Sequence, residues 1–149
     1  MESPEMDTDI ITHNWLSRLA DSGYRVTANI RAVIETIIAS DRALDAVAIF
    51  ERVRQTYPRL GLVTVYRTIH KLEELGLVEH LHQDQGCTLV LRAKQGHEHL
   101  LVCSSCGKVV YFSGDDLKGL SDQIARKTGF VIQSHWLQLF GLCSACSAL

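Results

Sequence analysis

Two Cys-x-x-Cys pairs constrain this chain more than anything else in it: Cys103-Ser104-Ser105-Cys106 and Cys143-Ser144-Ala145-Cys146. Two residues between thiols bring both sulfurs to one tetrahedral ion. Two such knuckles complete a closed four-cysteine shell, at about 2.3 Å per zinc–sulfur bond. Gly107 eases the turn after the second thiol. The pairs stand 40 positions apart, so the fold must return the end of the chain to the start of its second half. That half is about 50 residues long. At this size a core alone is marginal, and a bound ion supplies folding free energy directly. Four thiolates leave no open coordination position, so the spacing predicts a structural Zn2+. One pair alone would leave open a redox dithiol of the thioredoxin type. The second pair at matching spacing argues against that, and against four ordinary buried thiols.

The fifth cysteine, Cys87, stands alone. An odd count argues against a disulfide framework and for a reducing compartment, here the cytoplasm. Met1–Asp9 has no basic or apolar stretch of the kind a secretory signal needs. No run approaches the ~20 apolar residues of a membrane helix. The net charge of -2 comes from 15 Lys and Arg against 17 Asp and Glu. Glu2, Glu5, Asp7 and Asp9 fall in the first nine residues, which read as a disordered acidic tail. Without them the balance is 15 against 13 (17 minus 4). The total therefore excludes a strongly basic nucleic-acid binder but leaves room for one with a local basic face.

The first half reads as helices. Ile11, Trp15, Leu16 and Leu19 recur at helical spacing, and Asp21-Ser22-Gly23 breaks the pattern. Thr27 caps a second helix with the stripe Ile30, Val33, Ile34, Ile37 and Ile38. Asp45 caps a third, carrying Ala46, Ile49, Phe50 and Val53 and ended by Tyr57-Pro58. Gly61 opens a fourth. Leu62, Val65, Tyr66, Ile69 and Leu72 fall on one of its faces, and Thr64, Arg67, Lys71 and Glu74 on the other. Gly76 stops it. Two β-like runs, Leu77–His82 and Cys87–Leu91, flank a Gln-Asp-Gln-Gly loop and read as a hairpin. Helices followed by a hairpin are the pattern of a winged helix-turn-helix, here over residues 10–92. Residues 93–96 read as a hinge. Residues 97–149 offer strands Leu100–Val102 and Lys108–Phe112, a helix Asp115–Lys127 and a strand Phe130–Phe140. The fold class is α+β.

In a helix-turn-helix the start of the recognition helix enters the major groove. That places Thr64, Tyr66 and Arg67 against bases or phosphates, with Lys71 a turn further on and Arg25 reaching the backbone or minor groove.

Histidines supply a second metal-binding pattern. His80/His82 and His97/His99 have i, i+2 spacing, so on a strand each pair presents two imidazoles to one side. With Cys87 and His135 they form a candidate regulatory site, and ligation across a hinge would make a two-state switch. His13 and His70 read as solvated. Catalytic readings fail on spacing. A zincin needs H-E-x-x-H, whereas Leu101 follows His97-Glu98 in the place of the second His. A zinc deaminase needs H-x-E and P-C-x-x-C, whereas His99 and Val102 occupy the Glu and Pro places.

Four stretches then resemble the ferric-uptake-regulator (Fur) family of metal-sensing repressors. They are Gly61-Leu62-Val63-Thr64-Val65-Tyr66-Arg67-Thr68, Gly76-Leu77-Val78, His97 through Lys108, and Gly141-Leu142-Cys143-Ser144-Ala145-Cys146. The resemblance implies a winged-helix DNA-binding domain and a C-terminal α/β dimerisation domain. It implies a homodimer that binds palindromic, A/T-rich double-stranded operators when metal is bound. It makes Tyr66 and Arg67 the DNA-contacting pair, the paired cysteines the structural zinc site, and His135 a partner of the His-rich segment. It likens His80 and His82 to the wing histidines of nickel-sensing relatives. The chain departs from the family at four places. Glu98 and Leu100 stand where two hinge ligands usually do, Ala43 replaces a usual ligand histidine, and Thr27-Ala28-Asn29-Ile30 replaces Thr-Pro-Gln-Arg. The expected function is a repressor of metal-uptake genes whose second metal is Zn2+, since imidazoles with a thiolate suit zinc first. The alternatives are an iron- or nickel-responsive relative, and a zinc-stabilised protein-interaction module that does not bind DNA.

Overall fold

The structure is a computed structural model. It describes residues 4–82, 88–93, 98–114 and 117–148, with the backbone alone for residues 4–7 and for His82. The chain divides into two compact units, Met1–Ala93 and Lys94–Leu149.

The N-terminal unit runs α1 (Pro4–Asp21), α2 (Ala28–Ala39), α3 (Ala46–Arg54), α4 (Leu62–Glu74), β1 (Val78–His82) and β2 (Thr88–Arg92). Local chemistry sets the helix ends. The Thr27 hydroxyl accepts from the Ile30 amide at 3.3 Å, and the Asp45 carboxylate accepts from the Ala48 amide at 2.6 Å. Each satisfies an amide that the first turn leaves unpaired. Gly76, at φ +68, ends α4. Its amide donates to the Glu73 carbonyl, and the Leu77 amide donates to the Leu72 carbonyl, both at 2.9 Å. This is a Schellman cap, which needs a left-handed residue and so favours glycine.

The predicted stripes face inward. Trp15, Leu19, Ile34, Ile49, Val65 and Leu72 pack into one core with Val78 and Val90 of the hairpin. The strands pair antiparallel, His80 opposite Val90 and Leu81 opposite Leu89. Leu44 exchanges two backbone hydrogen bonds with Val90, at 3.0 and 2.7 Å. The segment before α3 is thereby stitched to β2.

The C-terminal unit runs β3 (Glu98–Cys103), β4 (Val109–Ser113), α5 (Leu117–Thr128), β5 (Gln138–Gly141) and α6 (Ser144–Ser147). The sheet order is β4-β3-β5. β3 pairs antiparallel with β4 and parallel with β5. A parallel pair needs a crossover, and α5 lies within it. Among the described residues of this unit, only Leu100, Val102 and Cys103 are buried apolar residues. No residue of α5 is buried.

Two expectations change. Residues 4–9 are the first turns of α1, not a disordered tail. Proline is favoured at the first helical position and acids near a helix start, so the stretch carries a helix signal as well as charge. The strand expected over Phe130–Phe140 shrinks to Gln138–Gly141. A strand persists only where a neighbouring strand takes up its backbone hydrogen bonds, and the ladder of β3 with this segment covers Gln138–Gly141.

The caps and core predict the cost of disturbing them. Leu72→Ala removes a fully buried side chain and should cost about 3 kcal/mol. Asp45→Ala should cost about 1 kcal/mol. Denaturant unfolding of the N-terminal unit measures both, and equal effects would contradict the assignment.

Candidate metal centre and nucleic-acid interface

The parallel pairing of β3 with β5 builds the cysteine site. Cys103 ends β3 opposite Gly141 at the end of β5, so both strands deliver their following turns to the same edge. The Ser104 amide donates to the Gly141 carbonyl at 2.8 Å. The turn after Cys103 closes through Gly107, at φ +76. The Gly107 amide donates to the Cys103 carbonyl at 2.9 Å, and the Cys103 amide to the Lys108 carbonyl at 2.8 Å. On the other side, Cys143 precedes α6, which brings Cys146 back beside it.

All four sulfurs lie within 4.8 Å of one another. Cys106 Sγ and Cys143 Sγ are 3.8 Å apart. That is too long for a disulfide. Four ligands at about 2.3 Å around a tetrahedral centre lie about 3.8 Å from each other, so the spacing fits zinc. The backbone also favours thiolates. The Cys143 amide points at Cys103 Sγ, 3.4 Å away. Together with the amide of Cys106 it lowers the Cys103 thiol to about 6. The Cys146 amide, followed by its thiol, lowers Cys143. The Ser105 hydroxyl draws Cys146 downward, but the thiols of Cys143 and Cys106 outweigh it and push Cys146 up to about 11. Four thiols this close resist full ionisation without a cation, and a bound divalent ion removes that penalty.

The predicted histidines separate. His99 is buried on β3, 2% exposed, with its ring centroid 5.3 Å from that of His135 and 5.5 Å from that of Phe112. Among the described residues its Nε2 is buried without a hydrogen-bond partner. An orphaned imidazole nitrogen is costly in a protein interior, and a metal ion would engage it. His80 lies on β1 in the other unit, where its Nε2 is 3.0 Å from Glu73 Oε2 of α4. His97 and Cys87 lie outside the described residues, and the side chain of His82 does too.

Helix α4 presents a polar face. Val65, Thr68, Ile69 and Leu72 are buried. Tyr66, placed by periodicity on the apolar face, is 54% exposed, as is Val63 at 61%. Arg67 and Arg25 are exposed, and Thr64 is half-buried. Lys71 turns toward the protein instead, with its Nζ 3.6 Å from the Tyr24 ring centroid. The Tyr24 hydroxyl donates to Glu74 at 2.9 Å, and Arg18 donates to the Leu75 carbonyl at 2.7 Å. Arg18 and Tyr24 thus clamp the end of α4. Sequence reasoning missed both, because these contacts span 57 and 50 positions and leave no local signal.

Two outcomes are expected at the cysteine site. Cys143→Ser should abolish metal binding there and lower the melting temperature of the C-terminal unit. Unchanged metal content would refute the site. Protons compete with the ion for thiolates, so metal held at pH 7 should be lost to a chromophoric chelator as the pH is lowered. Retention at pH 4 would contradict the four-thiolate shell.

Comparison with known proteins places this geometry. The Ferric uptake regulator family matches residues 21–140. The chain is 34% identical over 129 residues to a zinc uptake regulation protein of Mycobacterium tuberculosis, covering 86% of this chain and 98% of that one. It is 28% identical over 136 residues to a ferric uptake regulation protein of Neisseria meningitidis, covering 91% and 94%. Its fold is similar, at a TM-score of 0.66 and 23% identity over 95% of each chain, to a zinc uptake regulator complexed with zinc and DNA. Among the described residues no helix is long and apolar enough to cross a membrane. The chain belongs to the ferric uptake regulator family, whose members are dimeric, metal-responsive, DNA-binding transcriptional regulators and not enzymes.

Proposed function

We propose that this chain is a cytoplasmic, zinc-responsive repressor of metal-uptake genes. It binds a palindromic, A/T-rich operator as a homodimer. The observation that carries the sensing role is the buried Nε2 of His99, unpartnered among the described residues, beside the ring of His135. His97, two positions before His99 in the sequence, is the third imidazole of the expected set and lies outside the described residues. Cys87, His80 and His82 belong to the wider candidate set. Imidazoles with a thiolate favour Zn2+, and the 34% identical relative bears a zinc uptake name. The four-cysteine cluster is the structural zinc site in this reading, since its shell is closed. An iron-responsive regulator is the second reading, favoured by the 28% identical relative named for ferric uptake.

On the operator, Tyr66 and Arg67 meet base edges in the major groove, Thr64 bonds a phosphate and Arg25 reaches the backbone. Lys71 steadies α4 through Tyr24 before it adds charge. Apolar surface on the C-terminal unit suits the dimer interface. Leu120 and Ile124 of α5, Trp136 and Phe140 are each exposed by 44% or more, and large exposed apolar patches mark interaction sites.

Fluorescence anisotropy on a palindromic operator, with the four-cysteine site kept metal-loaded, tests the reading. Free zinc should raise affinity more than Fe2+ or Ni2+ does. His97→Ala with His99→Ala should abolish the zinc response and leave a folded dimer, while Arg67→Ala should weaken binding with zinc present. Specific binding indifferent to metal would overturn the switch. Absence of specific binding would leave a zinc-stabilised interaction module.

A further inference from the structure

Helix α4 carries one side chain that its fold does not account for. The outward stripe of the helix runs Val63, Tyr66, Arg67 and His70, at i, i+3, i+4 and i+7. All four are exposed, while Val65, Thr68, Ile69 and Leu72 are buried. Val63 is wholly aliphatic, yet it is 61% exposed. Local chemistry does not favour valine there either. Leu62 is the first residue of α4, so Val63 is the second. The first turn of a helix holds unpaired amides and the positive end of its dipole, and it favours short polar or acidic side chains. A β-branched residue also loses rotamer freedom in a helix.

Single apolar residues on a protein surface are ordinary, but Val63 is not isolated. Among the described residues of the N-terminal unit, the exposed large apolar side chains are Ile10, Val47, Val63 and Tyr66. Three of them fall in the first halves of α3 and α4. Val47 and Tyr66 line one cleft of about 500 Å3 together with His80 and Thr88 of the hairpin. Val63 precedes Tyr66 by one turn, toward the helix start. The first turn of α4 contains no acidic residue, so no carboxylate there repels an approaching phosphate.

We propose that Val63 reads a thymine methyl group in the major groove of the operator. The proposal rests on the placement of α4 in that groove, given under Proposed function. An isopropyl group has no donor or acceptor, so the hydrogen-bonding edges of the bases give it nothing to bind. Thymine alone presents a methyl group in the major groove. Packing the two together removes apolar surface of both from water. Val63 and Arg67 are four residues apart, about 6 Å along the helix axis. Successive bases on one strand are about 3.4 Å apart. The thymine therefore lies within about two steps of the group that Arg67 meets. This contact demands more than A/T-richness. Minor-groove readout does not separate A·T from T·A, whereas a methyl contact in the major groove does.

The test uses the metal-loaded dimer of the full chain and a palindromic duplex that it selects from a random-sequence pool. Each thymine of a half-site is replaced in turn by deoxyuridine, which removes the methyl group and keeps the base pair. Fluorescence anisotropy should show one position, near the Arg67 contact, where the replacement weakens binding about fourfold, the worth of one buried methyl group. Val63→Ala should bind the thymine duplex more weakly by a similar factor. It should be indifferent to deoxyuridine at that position and keep the wild-type response at the others. Alanine is the stronger helix former, so this variant should keep the melting temperature of the N-terminal unit. Equal deoxyuridine responses in wild type and Val63→Ala at every position would overturn the proposal, and so would a wild type indifferent to every replacement. A pool that yields no selected duplex would overturn the DNA-binding reading itself, and the proposal with it.

Discussion

The parallel pairing of β3 with β5 is the constraint on which the C-terminal unit rests. It sets Cys103 beside Gly141 and so brings two knuckles, 40 residues apart in sequence, to one point. The unit has little else to hold it. Among the described residues, three buried apolar side chains and a helix that buries none do not offset the conformational entropy of a unit of this length. A four-thiolate ion and a partner chain are the stabilisers this geometry calls for. Metal binding and dimerisation are then coupled to folding, because each stabilises only the ordered unit.

The N-terminal unit shows the opposite balance. Its helical core is continuous with the hairpin, so it does not need a metal to fold. Its polar contacts are concentrated at the end of α4, where Arg18, Tyr24, Lys71, Glu73 and Glu74 meet. The start of the same helix is left exposed at Val63, Tyr66 and Arg67. One end of α4 is anchored and the other is presented. The recognition role proposed for α4 needs that division, since base contacts are productive only when the helix is held in register.

What the sequence made legible was local. The Cys-x-x-Cys spacing, the caps at Thr27 and Asp45, the stop at Gly76 and the hairpin all depend on residues within a few positions, and all appear where expected. What it hid depended on contacts across the chain. Residues 4–9 read as a tail on charge alone, although Pro4 is a helix start signal. Phe130–Phe140 reads as one long strand because apolar and aromatic content says nothing about whether a partner strand exists. Tyr66 falls on the apolar face by periodicity, yet it sits at the edge of that face, where burial depends on what packs beside it. Glu73 looks like ordinary surface charge, and only the return of β1 against α4 brings His80 to it. Residue type groups His80 with His99, but they fall in different units with different surroundings.

Zinc K-edge X-ray absorption on the full chain loaded with one equivalent of zinc tests the central claim most directly. The account predicts four sulfur neighbours at about 2.3 Å and no nitrogen in the first shell. A mixed shell of sulfur and nitrogen would contradict it, because the two cysteine knuckles would then not close on one ion.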